Sequence, residues 1–297
     1  MSKRIAIITD LDNTIYNWVD SFAPCFRGMI HALAHYNKTV TENELLNTFR
    51  ELFRIHGSLE YPVQASELPF YKNASPDEEK RINSIIFGAF KNVAKGNGPG
   101  GLRLYDGGMN FFTWAYSHGI TIIAVTNAPL RVVKQRLVSL GISRFYTALA
   151  APEESNFEQI RQPNDFLGKQ EQLLEIDLPN YITRDKHFDR IYKLRPDELK
   201  PSINGYKKIF LDLQKKWDVV YVIGDSLQKD LAPAKMLGAK TIWARYGTKI
   251  EKHNLETLLK ITPWDSAQVA NAYGTDFSPD FTADSLADVR VIVESNT

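Results

Sequence analysis

The sequence predicts an α/β protein: a doubly wound parallel sheet with an inserted, mainly helical segment. Residues 4–9, 120–125 and 219–224 are short, apolar and rich in β-branched side chains, without polar alternation. Strands covered by helices on both faces have this pattern. Each run leads directly into a residue with usable chemistry, Asp10, Thr126 and Asp225. Helical periodicity fills much of the space between them, and strand–helix–strand alternation builds a parallel sheet.

Taken in order, 4–9 is the first strand. Residues 17–101 then show helical pattern at 21–36, 42–56 and 76–95, with no buried strand. This stretch ends in Gly96-Asn97-Gly98-Pro99-Gly100-Gly101, a turn-rich join. The reading is a helical domain inserted at 17–102. A helix at 109–118, closed by Gly119, leads into the second strand, 120–125. A further helix at 130–140 follows Pro129 and closes at Gly141 in the same way. Residues 152–195 are polar, contain several prolines and are too long for an ordinary loop, so a small accessory insertion is expected there. Beyond it, Ile203, Tyr206, Ile209, Phe210 and Leu213 recur at helical spacing behind Pro201. The strand at 219–224, a helix at 229–237 closed by Gly238, and a strand at 240–244 follow. Residues 248–259 read as an exposed amphipathic helix. The core would thus comprise 1–16, 103–151 and 196–297, the last with a C-terminal extension.

The composition is that of an ordinary globular chain, 43% hydrophobic and 24% charged over 297 residues, which argues against disorder. A net charge of +1 gives no global reason to expect nucleic acid or an anionic membrane. The single cysteine, Cys25, leaves no intramolecular disulfide and fits a reducing compartment. No apolar run approaches the roughly 20 residues of a membrane span. A cytoplasmic protein is expected; its oligomeric state is not legible.

In open α/β sheets ligands bind beyond the carboxyl ends of the strands. Asp10-Leu11-Asp12-Asn13-Thr14 puts two carboxylates one residue apart at such an end. An Asp carboxylate can attack phosphorus and form an aspartyl-phosphate. Nucleophile and phosphate are both anionic, and Mg²⁺ held by oxygen ligands is the usual remedy. Asp10 and Asp225 can supply such ligands. Alone, Asp12, Asn13 or Thr14 could instead cap a turn. The Thr126 hydroxyl and the N–H groups around Asn127 can hold phosphoryl oxygens. In Gly224-Asp225-Ser226-Leu227-Gln228-Lys229-Asp230, Gly224 permits a tight turn, and Asp230 could hold a lysine in place. Ser226 is an alternative N-cap. Lys200, ahead of Pro201, could neutralise phosphate charge.

These elements, in this order, resemble the haloacid dehalogenase superfamily. Asp10-Leu11-Asp12-Asn13-Thr14 looks like its first motif, Asp-x-Asp-x-Thr. Thr126 resembles the second, Lys200 the third, and Gly224-Asp225-Ser226 with Asp230 the fourth, Gly-Asp-x-x-x-x-Asp. The resemblance covers approximately 1–16, 103–151 and 196–245. It implies a Rossmann-like core and a Mg²⁺-dependent phosphatase of a small phosphorylated metabolite. It further implies Asp10 as nucleophile and metal ligand. Asp12 would be general acid and then base, its backbone carbonyl a metal ligand. Thr126 would bind the phosphoryl group, Lys200 steady the charge, Asp225 bind Mg²⁺, and Asp230 orient Lys200 or a metal-bound water. The second Asp of the first motif is absent from the dehalogenases of the superfamily, so its presence favours phosphoryl transfer. The insertion at 17–102 lies where the family carries a helical cap.

Sugar-phosphate mutase chemistry on the same residues stays open, as does, more remotely, a phospho-Asp signalling or binding module. Gly96-Asn97-Gly98-Pro99-Gly100-Gly101 matches G-x-G-x-x-G literally but follows a helical pattern, and Pro99 removes a donor. His31 and His35 share a helix face without a third metal ligand. Residues 109–114 read as a core-packing helix.

Overall fold

A computed structural model describes residues 3–56, 67–95, 101–153, 188–213, 217–262 and 277–297. Its centre is a parallel sheet. The strands are β1 (Ile5–Thr9), β2 (Thr121–Val125), β3 (Tyr146–Pro152), β4 (Arg190–Leu194), β5 (Val219–Gly224), β6 (Lys240–Ala244) and β7 (Phe281–Ala283). They lie in the order β4-β3-β2-β1-β5-β6-β7, and every pairing is parallel. The chain winds outward from β1 through β2, β3 and β4, then returns to the other side of β1 as β5. That reversal opens the crevice in which such sheets bind ligands.

The helices are α1 (Trp18–Tyr36), α2 (Glu42–His56), α3 (Pro69–Lys72), α4 (Pro76–Lys95), α5 (Gly108–Ser117), α6 (Leu130–Ser139), α7 (Ile203–Leu213), α8 (Ala232–Met236), α9 (Lys252–Ile261) and α10 (Leu286–Ser295). Successive residues of a strand point to opposite faces of the sheet. Ile7, Ile122 and Ile223 meet Phe111 of α5, Val133 of α6 and Val289 of α10. Ala6, Ile8, Ile123 and Val222 meet Tyr206 and Phe210 of α7 and Ala234 of α8. Both faces are buried, which is why these strands show no polar alternation.

Helices α1, α2, α3 and α4 build a separate core around Phe26, Met29, Leu33, Phe49, Tyr71 and Ile86. Entry to and exit from this insertion are stitched together. The Asn17 amide carbonyl accepts from the Arg103 N–H (2.8 Å), and the Ser21 hydroxyl donates to the Gly101 carbonyl (3.0 Å). Helix α9 joins the same body: Ile261 enters its core, and Asn254 is held between Asp20 and Arg27 of α1. The expected exposed helix at 248–259 is therefore a docked one, with Asn254, Thr257, Leu258 and Ile261 buried.

β4 lies within 152–195, the stretch expected to be accessory; it pairs with β3 as the edge strand of the main sheet. Residues 154–187 of that stretch, and 96–100 of the glycine-rich join, lie outside the described residues. The helix expected at 229–237 is a π-turn, Leu227–Leu231, followed by α8. Cys25 is buried, and His31 and His35 pair with Glu42 and Lys38. Phe111, Phe112 and Trp114 of α5 are core residues. Among the described residues no helix is long and apolar enough to cross a membrane.

Candidate active site

The site is assembled at the carboxyl ends of three neighbouring strands. Register places Thr9 beside Ala124 of β2 and Ile223 of β5. Asp10 therefore stands level with Val125 and Gly224, one residue short of Thr126 and Asp225. The Asp10 N–H donates to the Ile223 carbonyl (2.9 Å), and the Thr126 N–H to the Ala150 carbonyl (3.0 Å). The last ladder bonds thus fix the two side chains.

Beyond Asp10 the chain turns sharply. The N–H groups of Thr14 and Ile15 return to the Leu11 carbonyl, and Asn13 adopts left-handed backbone (φ 58°), which Asn tolerates better than most residues. This turn brings Thr14 back over Asp10. The Thr14 hydroxyl donates to Asp10 Oδ2 (2.9 Å) and accepts from the Asp225 N–H (3.0 Å), tying the first motif to the fourth. Gly247, which the sequence reading passed over, packs directly on this turn: a Cβ there would lie 1.7 Å from the Asn13 carbonyl oxygen. The adjacent Tyr246 hydroxyl donates to the Thr14 carbonyl (2.7 Å).

Lys200 is buried, and its ammonium bridges Asp10 Oδ1 and Asp230 Oδ1, the latter at 2.6 Å. Burial alone would pull its pKa down; the charges of Asp10 and Asp230 instead hold it well above the usual lysine value. Asn127 holds the lysine's backbone through two bonds. Its amide donates to the Lys200 carbonyl, and its carbonyl accepts from the Lys200 N–H, both at 2.9 Å. Its side chain thus serves the lysine loop. The Thr126 hydroxyl accepts from the Ala128 N–H (3.0 Å) and remains at the strand end.

Asp230 sits against Gly224, where any Cβ would come within 2.3 Å of the Asp230 Cβ. Its Oδ2 accepts from the Ser226 N–H (3.1 Å), while Ser226 caps the π-turn by accepting from the Lys229 N–H (3.2 Å). Asp10, Asp225 and Asp230 each bring a carboxylate oxygen within 4.8 Å of one another. Burial first, and then the neighbouring charges of Asp10 and Asp230, raise Asp225 well above the carboxylate range. Burial likewise raises Asp230, to about 6, although Lys200 pulls it back. Three buried carboxylates around one ammonium form an anionic cluster of hard oxygen donors, which suits a cation of the Mg²⁺ type.

Asp12 has a cation partner of its own. Its Oδ1 accepts from Arg136 Nη1 of α6 (3.0 Å), and Arg136 lies over the Tyr16 ring, 6.0 Å from its centroid. Arg136 and Tyr16 belong to no sequence motif, and Arg136 is 124 residues from its partner.

The structure thus brings together Asp10, Thr14, Lys200, Gly224, Asp225, Ser226 and Asp230. It sets Thr126 at the neighbouring strand end, turns Asn127 to the lysine loop and pairs Asp12 with Arg136.

The fold is shared with solved structures of haloacid dehalogenase-like proteins. A 2-haloacid dehalogenase from Pseudomonas syringae pv. tomato DC3000 shares it with a TM-score of 0.55 and 15% identity, over 99% of this chain and 100% of that one. The HAD protein YfnB of Bacillus subtilis, in a crystal structure bound to magnesium, gives 0.51 and 14%, over 99% and 100%. A predicted phosphoglycolate phosphatase from Haemophilus somnus 129PT gives 0.50 and 15%, over 99% of each chain. Neither a family model nor a curated protein matches the sequence.

Proposed function

We propose that the protein is a Mg²⁺-dependent phosphatase of small phosphorylated metabolites, working in the cytoplasm through an aspartyl-phosphate on Asp10. One observation carries the reading. Asp10 is a buried carboxylate at the end of the central strand, steadied on one oxygen by Lys200 and on the other by the Thr14 hydroxyl, with Asp225 beside it.

Asp10 and Asp225, with the Asp12 backbone carbonyl, would hold the cation. Bound there, it would offset the repulsion between an anionic nucleophile and an anionic phosphate. Asp10 attacks phosphorus, and the bond to the leaving oxygen breaks. The Asp12 carboxyl gives its proton to that oxygen, and its carboxylate then takes a proton from the water that hydrolyses the Asp10 ester. The Thr126 hydroxyl, the N–H groups of its turn and the Lys200 ammonium receive the phosphoryl oxygens. Asp230 keeps Lys200 aimed at Asp10, and Asn127 fixes its backbone. The helical insertion, entered five residues after Asp12, is a cap that covers the site and selects the leaving group. The YfnB structure is described as revealing interdomain movement, and a moving cap is the matching reading here.

A screen of phosphorylated metabolites, following inorganic phosphate with MgCl₂ and after exhaustive chelation, tests the proposal. Metal-dependent release is expected from a subset of them. Absence of release under every condition contradicts it. Isomerised substrate with little free phosphate would point to a mutase.

A further inference from the structure

The two carboxylates of the first motif have separate cations. Asp10 is served by Lys200, and Asp12 by Arg136. Arg136 is an unusual residue for its place. It lies on α6 among Val133 and Leu137, which enter the core, and its own side chain is only 9% exposed. Charged side chains are rarely so buried unless they are paired. Its partner Asp12 keeps 22% of its side chain exposed. The guanidinium takes Oδ1 of Asp12 from one side while the buried Tyr16 ring backs it.

The carrier of this contact is rigid and begins at the site. Helix α6 starts at Leu130, four residues after Thr126, and packs on the sheet through Val133 and Leu137. One element thus carries the phosphate-binding turn at its start and the Asp12 contact two turns on. A first contact held by a second, itself locked by packing, is how a reacting group is kept within tolerance.

We propose that Arg136 is a positioning residue for the proton-transferring carboxylate of Asp12. The proposal rests on the phosphatase reading and goes beyond it. Arg136 fixes the plane of the Asp12 carboxyl through Oδ1, so that Asp12 stands where the leaving oxygen will be. Its hydrogen bond runs to Asp12, while Asp10 is held by Lys200 and Thr14. Its loss should therefore resemble loss of the acid, and be felt in proportion to the leaving group's need for a proton.

The experiment compares 4-nitrophenyl phosphate, whose leaving group is a stable anion, with phenyl phosphate, whose leaving group needs protonation more. Release of each phenol is followed in a single turnover with Mg²⁺ present, so that only the first chemical step is read. Asp12→Asn should raise the nitrophenyl-to-phenyl rate ratio, since acid catalysis is typically worth about 10²–10⁴-fold. Arg136→Met should raise it too, by about tenfold or more, and Arg136→Lys should fall between Arg136→Met and wild type. In Asp12→Asn/Arg136→Met the ratio and the phenyl rate should match those of Asp12→Asn alone, because Arg136 then has nothing left to position. If Arg136→Met does not fold, Arg136→Lys carries the same test. Equal losses for both esters, or losses in the double variant that multiply those of the singles, overturn the proposal. If Asp12→Asn itself leaves the ratio at its wild-type value, the acid assignment fails and the proposal with it. If Asp12→Asn raises the ratio and neither Arg136 variant does, the proposal alone fails.

Discussion

Asn127 and Lys200 hold each other by two reciprocal hydrogen bonds of 2.9 Å, the side-chain amide of one against the backbone N–H and carbonyl of the other. Lys200 reaches Asp10 from a loop distant in sequence, and this pair sets that loop against the turn after β2. Asn127→Ala should leave the fold intact but let the lysine drift. A displacement of about 1 Å at a reacting centre can cost about 10²-fold in rate. Turnover of 4-nitrophenyl phosphate, with thermal unfolding as the control for folding, measures it; unchanged turnover would remove Asn127 from the account.

Asp225 and Asp230 are held above the ordinary carboxylate range, Asp230 at about 6, burial being the first cause in both. A carboxyl with a higher pKa folded than unfolded binds more protons in the folded state. Its contribution to stability is full below its unfolded value, roughly 3.9, and is lost as pH rises through its folded value. Through Asp230 the metal-free protein should therefore lose stability between about pH 4 and about pH 6. Mg²⁺ should restore it, with an effect that grows across that window and approaches about 2.7 kcal/mol at a hundred times Kd. Thermal scans with and without MgCl₂ from pH 4.5 upward read this directly. A Mg²⁺ effect that is absent, or the same at every pH, contradicts the metal site.

Gly224→Ala should weaken both the fold and the site. The added methyl would lie 2.3 Å from the Asp230 Cβ and 2.6 Å from its carboxylate, so Asp230 must move off Lys200. Overpacking of this kind costs about 1–3 kcal/mol, which urea unfolding resolves. Wild-type stability together with wild-type turnover would show that the close approach is dispensable.

Helix α9 and the inserted helices should behave as one body. The Asn254 amide donates to Asp20 (2.8 Å), and its carbonyl accepts from Arg27 (2.9 Å), two turns along α1. Asn254→Leu strips both partners at a buried position, and a group left without its hydrogen bond costs about 1–3 kcal/mol. Hydrogen exchange in 252–261 should quicken with the loss of stability; unchanged protection there would mean that α9 is held by its apolar face alone.

What was legible in the sequence was what lies close together along it. β1, β2 and β5 are apolar runs rich in β-branched residues, β6 is a shorter one, and Asp10-x-Asp12-x-Thr14 and Gly224-Asp225 sit at the ends of β1 and β5. β3 escaped notice because Tyr-Thr-Ala-Leu-Ala-Ala-Pro is alanine-rich, with Thr147 its one β-branched residue, yet it is almost wholly buried. β4, Arg-Ile-Tyr-Lys-Leu, is a largely half-exposed edge strand inside a stretch whose polarity suggested a loop, and β7 has only three residues. Arg136 was one of 36 basic side chains, and only folding brings it to Asp12. Gly247 looked like any other glycine until the Asn13 turn was seen to fill the space of its missing side chain.

The central claim is a covalent phosphate on Asp10, and chemical trapping tests it most directly. The enzyme, with Mg²⁺ and a substrate carrying radiolabelled phosphate, is quenched in acid within one turnover. Borohydride then reduces any aspartyl-phosphate to homoserine, and the peptides are sequenced. Labelled protein is expected before reduction, homoserine at position 10 after it, and neither in Asp10→Asn. Label on another residue, or one full turnover of leaving group from an enzyme that never acquires label, would contradict it.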